Sequence, residues 1–324
     1  MTLPIEERNL ALEAVRVTEA AAMAASKLMG RGDEKEADQV AVDAMRKALN
    51  ALYIKGTVVI GEGERDEAPM LYIGEKVGRG EGPEVDIALD PLEGTTITAN
   101  GGPNALSVIA FAGRGGFLHA PDVYMNKIAV GPDLPLDVVH IDATIEENLQ
   151  NLGKAKSKSI TDLVVCILDR PRHAELIARV RAMGARILLI PDGDVSGVIA
   201  TALPDSGVDI YVGSGGAPEG VLAAAALRST GGFMQGRLVF RNDDEISRAR
   251  KIGIQDLNRV YGLLDLASGD VMFAATGVTD GAFLKGVKNY ANGHLTTQSI
   301  VMRSKTGTIR TIHAQHNLNV KASR

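Results

Sequence analysis

The chain is 324 residues long, 45% hydrophobic and 23% charged, with a formal net charge of −5 at pH 7. That composition excludes global disorder, and the length exceeds one ordinary core, so one large or two linked domains are expected. The acidic balance, the absence of Trp and an aromatic content of only 4% supply neither a basic footprint nor stacking platforms, so no nucleic-acid partner is expected.

The stretch MTLPIEERNLALEA carries three Glu and no cationic segment ahead of an apolar core, so no secretory signal is expected. No apolar run reaches bilayer length, and a cytoplasmic protein without membrane association is the expectation. From Ile5 to about Met29, Ala and Leu are dense and Gly and Pro absent, which predicts a helix. GRGD breaks it. A second helix is predicted from about Glu34 to Leu52, where Val40, Met45 and Leu49 recur at helical spacing. GTVVIGEGE (56–64) is a β-branched run ended by glycines, hence a strand leading into a loop, and VDIALD (85–90) and ALSVIAFA (105–112) are two more strands.

After about residue 158, DLVVCILD, HAELIARVRAMG, ARILLIP, VSGVIATAL and VDIYVG alternate strand and helix at βαβ spacing, which predicts a parallel or mixed sheet. Cys166, the single cysteine, sits inside LVVCILD and reads as a buried apolar residue, a usage that fits a reducing compartment. GAPEGVLAAAALRSTGG has Pro near its start and Gly past its end, as a helix does. DVMFAATGV and TQSIVMR…TIRTIHA close the chain as strands. The class is α/β, with a division expected between 1–157 and 158–324.

The acids follow a pattern. Asp38 lies early in the second helix; Glu62 and Glu64 follow one strand, Asp90 and Glu93 flank Pro91 after another, and Glu219 begins a helix after GSGGAP. Strand ends of α/β sheets are where ligands collect. Oxygen donors suit a hard divalent cation such as Mg²⁺ or Mn²⁺, not Zn²⁺. Taken singly, GEGE is a solvated turn, Asp90 a turn acid and Glu219 a first-turn acid facing the helix dipole. His313 and His316 read as a partly exposed strand pair. The combination points elsewhere, because Gly94, Thr95 and Thr96 put small residues and backbone N–H groups beside the acids, at a predicted helix start that suits phosphate. Thr95 as a helix cap is compatible with the same reading. Cations gathered beside a phosphate-binding turn are the arrangement for metal-assisted hydrolysis of a phosphate ester.

IGEGERDEAP, then DPLEGTT and later GGAPEG resemble the class II fructose-1,6-bisphosphatases, which belong to the lithium-sensitive phosphatase superfamily with the inositol monophosphatases. KEADQVAVDAMR, APMLYIGEKVG, APDVYMNK, DRPRH and PDGDVSG also fit in order, so the resemblance spans nearly the whole chain. It implies a layered sugar-phosphatase fold of two sheet-containing subdomains with the active site between them. The implied activity is metal-dependent hydrolysis of fructose 1,6-bisphosphate to fructose 6-phosphate and phosphate, a reaction of gluconeogenesis. The implied metal-binding acids are Asp38, Glu62, Asp90, Glu93 and Glu219, holding Mn²⁺ or Mg²⁺. Glu93, Gly94 and Thr95 match the turn that receives the scissile 1-phosphate, and Thr95 the residue that orients the attacking water. Asp66, in ERDEAP, matches a further acid near the metals and is assigned with Thr95 to catalysis. The resemblance to the wider superfamily also implies that Asp38 polarises the threonine.

For the second phosphate the resemblance implies Arg170, Pro171 and Arg172 of DRPRH, whose planar forks suit phosphate oxygens. Without the family pattern, the same residues read as a helix-entry turn with solvated arginines. Tyr124 matches a substrate-binding tyrosine, Asp192, Gly193 and Asp194 match residues that hold sugar hydroxyls, and Gly216 another substrate contact. The partner is then a small sugar bisphosphate, and the assembly a homodimer or homotetramer. Arg170 stands where some relatives carry Lys, and the short segment between EKVG and VDIALD lacks an insertion that can occur in relatives also hydrolysing sedoheptulose 1,7-bisphosphate, which stays open as a second substrate. An inositol or other sugar monophosphatase, or a non-catalytic phosphometabolite sensor, is the alternative on the same fold.

Overall fold

In the computed structural model, which describes residues 10–63 and 70–322, the chain divides into two units, Met1–Gly115 with Asp270–Arg324, and Gly116–Gly269. The α/β class expected from the sequence is observed, but the expected boundary near 158 falls inside the second unit. The reason is topological: the closing strands return to pair with the first sheet.

The first unit begins with α1 (Ala11–Ala25) and α2 (Glu34–Asn50); residues 5–9 of the expected first helix lie outside the described residues. The α1 face built from Ala14, Val17, Ala21, Ala22 and Ala25 is fully buried, and its small side chains let the helix lie close against the sheet. Asp33 caps α2, its side chain accepting from Glu36 N at 2.9 Å. The sheet comprises β1 (Lys55–Ile60), β2 (Lys76–Val77), β3 (Glu84–Glu93), β4 (Leu106–Gly113), β11 (Met272–Gly277), β12 (Lys288–Asn289), β13 (His294–Arg303) and β14 (Thr308–Asn317). Its order is β12-β13-β11-β4-β3-β1-β2, with β14 on β13. Only β1 and β3 run parallel within it. The short helix α3 (Thr95–Asn100) follows β3.

A buried polar seam crosses this unit. Thr18 Oγ1 meets Thr276 Oγ1 at 2.7 Å, and Thr276 meets Ser299 at 2.8 Å. Beside them Thr297 Oγ1 donates to Glu19 at 2.8 Å and lies 3.0 Å from His316 Nε2. His316 is buried, 8% exposed, unlike the partly exposed strand residue expected, because its Nε2 faces Thr297 and, at 3.6 Å, Glu19. His313 is exposed, as expected.

The second unit holds β5 (Tyr124–Val130), β6 (Val164–Leu168), β7 (Arg186–Ile190), β8 (Ile210–Gly216), β9 (Phe233–Val239) and β10 (Tyr261–Gly262). Their order is β10-β9-β5-β8-β6-β7. Its helices are α4 (Ile145–Lys156), α5 (Ala174–Ala182), α6 (Asp194–Ala200), α7 (Ala217–Thr230), α8 (Asp243–Lys251) and α9 (Leu263–Leu266). β6 is parallel to β7 and β8, while β5 is antiparallel to β8 and β9. The sheet is thus mixed. α7 is apolar nearly all round, burying Val221 to Leu227, as a central helix must. Cys166 is a free, buried thiol; burial first, and the Asp194 carboxylate second, push it up to about 12, which leaves it chemically inert. No helix among the described residues is long and apolar enough to cross a membrane.

Candidate active site

In the first unit the parallel pairing of β1 and β3 carries both strands' C-terminal ends to one end of the sheet. Ile60 lies level with Ala88, so Glu62 and Asp90 leave their strands side by side. The ladder between β3 and β4 slips by one residue: Asp90 opposes Val108 and Glu93 opposes Leu106. Val108 and Leu106 are two apart and share a face. Asp90 and Glu93, three apart, therefore share it too, whereas in an unbroken strand they would face opposite ways. Pro91 sits in this bulge, where a missing donor costs no ladder bond. The acid–Pro–Leu–acid spacing is a device for placing two carboxylates together.

Each acid has its support. Glu93 is buried, while Asp90 is half-buried and accepts from Leu92 N at 3.0 Å. Glu62, half-buried, donates its backbone N–H to Leu71 O at 3.1 Å. Leu71 sits at φ 55, a conformation that costs an apolar residue about 1–3 kcal/mol. Buried Glu75 holds it there, accepting from Leu71 N and, at 2.6 Å, from Arg46 Nε on α2. Asp38 is half-buried on α2, and burial raises its pKa. α2 packs against both α3 and β3. Asp66 lies outside the described residues. Among the described residues no group of three or more His, Cys, Asp or Glu is arranged to hold a metal ion.

Thr95 is the first residue of α3, and Gly94, at φ 93, is its N-cap. The cap is therefore Gly94 and not Thr95, whose hydroxyl makes no hydrogen bond among the described residues. The first intrahelical bond runs from Thr98 N to Gly94 O at 2.9 Å, so the Thr95, Thr96 and Ile97 N–H groups precede it. A helix of six residues carries little of the dipole expected at this turn; the individual N–H groups remain.

In the second unit one edge of the sheet collects the other predicted residues. β6, β7 and β8 run parallel and end there with Asp169–Arg170, Pro191–Asp192 and Gly213–Gly216. Tyr124, the first residue of β5, pairs with Gly216 on one side and Val239 on the other. The arginine turn Pro171–His173 is a single 3₁₀ turn. Arg170 lies 3.7 Å from Asp192, and the Arg172 guanidinium sits 4.8 Å from the Tyr124 ring centroid. Arg172 Nε and Nη2 both donate to Ser214 O, at 3.0 and 2.7 Å.

Gly193, at φ 83, is the N-cap of α6, and Asp194 is that helix's first residue. Asp194 is buried and ion-paired with Lys127, itself 1% exposed. Glu219, near the start of α7, turns its carboxylate back over Gly216, where a Cβ would lie 1.9 Å from Oε2. At Gly215 a Cβ would lie 2.0 Å from Asp194 Oδ2. The glycines are required by these two carboxylates. Glu219 is half-buried overall, but its Oε2 is inaccessible and has no hydrogen-bond partner among the described residues. Burial, then the Asp194 carboxylate, push its pKa up to about 7, against the pull of Lys127.

Three further residues at this end of the sheet were not singled out by the sequence. Lys127 stands alone in an apolar strand, and a buried lysine demands a partner, which was a usable signal. His173, 4% exposed, accepts from Ser214 N through Nε2 at 2.8 Å, which leaves Nδ1–H to donate to Leu168 O at 2.7 Å. Arg241 follows β9, a strand absent from the sequence expectations.

A family model described as bacterial fructose-1,6-bisphosphatase, glpX-encoded, matches residues 8–316. Over 328 aligned residues, the chain is 47% identical to fructose-1,6-bisphosphatase 1 class 2 of Escherichia coli (strain K12), with 97% of each chain covered. Fructose-1,6-bisphosphatase class 2 of Shigella flexneri matches with the same identity and coverage. Among solved structures the IMPase of Thermotoga maritima aligns at 12% identity over 74% of this chain and 95% of that one, with a TM-score of 0.33, a likeness too slight to bear on fold or function. With a family model spanning nearly its whole length and relatives matched end to end, the chain belongs to the bacterial, glpX-encoded family of fructose-1,6-bisphosphatases.

Proposed function

We propose that the protein hydrolyses fructose 1,6-bisphosphate to fructose 6-phosphate and phosphate. The observation that carries this is identity of 47% over 97% of both chains to a class 2 fructose-1,6-bisphosphatase. Asp38, Glu62, Asp90 and Glu93, with Glu219, form the proposed cation-binding set. An all-oxygen donor set and the inaccessible, unpartnered Glu219 Oε2 fit a hard divalent cation, Mn²⁺ or Mg²⁺. Such a cation supplies positive charge against the phosphoryl oxygens and acidifies bound water.

The chain's own residues do the rest. The Gly94–Thr95 turn offers N–H groups to the 1-phosphate, and the uncommitted Thr95 hydroxyl orients the attacking water. Asp38, whose burial raises its proton affinity, takes the proton through Thr95, and Asp66 is proposed to assist. The water oxygen bonds to phosphorus as the bond to the sugar oxygen breaks, and a proton ends on that oxygen. Arg170 and Arg172, with Pro171 fixing the turn and Tyr124 beside it, hold the second phosphate. Asp192, Gly193 and Asp194 face the sugar hydroxyls, and Gly216 gives room. The free Cys166 accords with a cytoplasmic site of action, and the family resemblance with a homodimer or homotetramer.

The test is phosphate release by the purified protein from a panel of sugar bisphosphates and monophosphates, with Mn²⁺ and Mg²⁺ compared. Preference for fructose 1,6-bisphosphate is the expected result. Faster turnover of inositol phosphate or another monophosphate overturns the substrate, and no release from any compound overturns the activity.

A further inference from the structure

We propose that Arg241 is a third arginine of the subsite for the substrate's second phosphate, flanking the Tyr124 ring with Arg172 and acting alongside Arg170. The inference rests on the function proposed above and extends it to a residue that neither the motifs nor the family pattern singled out. β9 is antiparallel to β5 and places Val239 opposite Tyr124, so Arg241, two residues on, emerges at the edge where β6, β7 and β8 end. Its guanidinium carbon lies 4.9 Å from the Tyr124 centroid, and that of Arg172 lies 4.8 Å from the same centroid. Two like charges are thus held within about one screening length, roughly 8–10 Å at physiological salt. One ring does not call for two cations, whereas an anion accepting from both does.

The two arginines are mounted alike. Arg172 spends Nε and Nη2 on Ser214 O. Arg241 spends Nε and Nη2 on Glu245 Oε1, at 2.7 and 2.5 Å, and its backbone N–H on Oε2 at 2.7 Å. In each, one edge of the fork is anchored, and Nη1 has no hydrogen-bond acceptor among the described residues. The Tyr124 hydroxyl also has none among them. Three donors without acceptors around one ring suit a group that only accepts and carries several oxygens, which is a phosphate. Glu245, 2% exposed, fixes the guanidinium before the ligand arrives, so less side-chain freedom is lost on binding.

Arg241→Gln and Arg241→Lys are compared with the wild type, each also combined with Glu245→Gln so that no buried carboxylate is stranded. Two readouts are taken: hydrolysis of fructose 1,6-bisphosphate against fructose 1-phosphate, and binding of fructose 6-phosphate by calorimetry, which needs no turnover. Arg241→Gln is expected to raise KM for the bisphosphate about tenfold or more, well beyond its effect on kcat. The loss in kcat/KM should be far larger on the bisphosphate than on fructose 1-phosphate. Fructose 6-phosphate should bind correspondingly weaker, with partial rescue by Lys. Equal losses on both substrates, unchanged fructose 6-phosphate binding, or no such binding by the wild type overturns the proposal. A wild type that binds fructose 6-phosphate through Arg241 yet releases no phosphate from the bisphosphate leaves this subsite standing and sinks the hydrolytic reading instead.

Discussion

At Gly216 the missing side chain is filled by Glu219's own carboxylate, 1.9 Å from where a Cβ would stand. The intruding atom is the far end of a flexible side chain. Gly216→Ala should therefore fold with little change in melting temperature, yet lose about 100-fold in kcat/KM because Glu219 is turned aside. Thr95→Ala should lower kcat by on the order of 100-fold or more with a much smaller change in KM; steady-state kinetics with the metal supplied separates the two parameters. His173 gives a pH prediction. Burial first, then the Arg172 and Arg170 charges, hold its pKa below the ordinary 6.5, with the Leu168 carbonyl and Asp194 opposing. A base with a depressed folded pKa contributes stability that is present above its unfolded pKa and lost as pH falls below it. Denaturant midpoints should thus drop as pH falls below 6.5, and His173→Gln should flatten that part of the profile. Thr95 was legible because it follows two acids. His173 was not: it acts on backbone 41 residues away in sequence, which no local spacing encodes.

Among the elements, α2 and the bulge in β3 matter most for the proposed site. α2 carries Asp38 and is capped by Asp33. Asp33→Ala should cost about 1 kcal/mol in chemical denaturation while leaving kcat within about twofold, since Asp33 lies outside the proposed machinery. Helices and strands with clear periodicity were read well from sequence: α2, β1, β4 and the alternation from β6 to α7 lie where expected. The bulge was not foreseen as such. VDIALD was read as a strand ending at Asp90, but pairing with β4 carries it to Glu93, because edge-to-edge hydrogen bonding tolerates Pro91 at a slip. β5 and β9 also escaped notice. YMNKIAV and FMQGRLV interrupt their apolar runs with Lys127, Gln235 and Arg237, whose partners Asp194, Ile141 and Asp142 lie on a helix and in a loop far off in sequence. Arg241, just past β9, was lost with it.

For the whole molecule, the two units have separate cores, one led by Val17, Met45 and Phe111 and the other by Leu149, Val165 and Ile210. If the acids hold a cation as proposed, chelation should abolish phosphate release and Mn²⁺ or Mg²⁺ should restore it. The melting temperature should rise with added cation, corresponding to about 2.7 kcal/mol at a hundredfold excess over Kd; a cation-independent melt with intact activity argues against the assignment. The α/β class was readable from composition and rhythm, but the discontinuity of the first unit was not, since nothing in DVMFAATGV names its partner. That partner is β4, with Met272 opposite Phe111 and Gly277 opposite Leu106. Between the two strands lie residues 116–269, opened and closed by the Phe117–Ala267 bridge and by Ser268 N donating to Gly116 O at 2.7 Å. A ribosome therefore delivers β4 long before the strand that seals it, with an entire inserted unit emerging in between. Nascent chains halted before Met272 would display an unsealed border along Leu106 to Ala112, apolar but for Ser107, the kind of surface that chaperones seize and aggregates grow from.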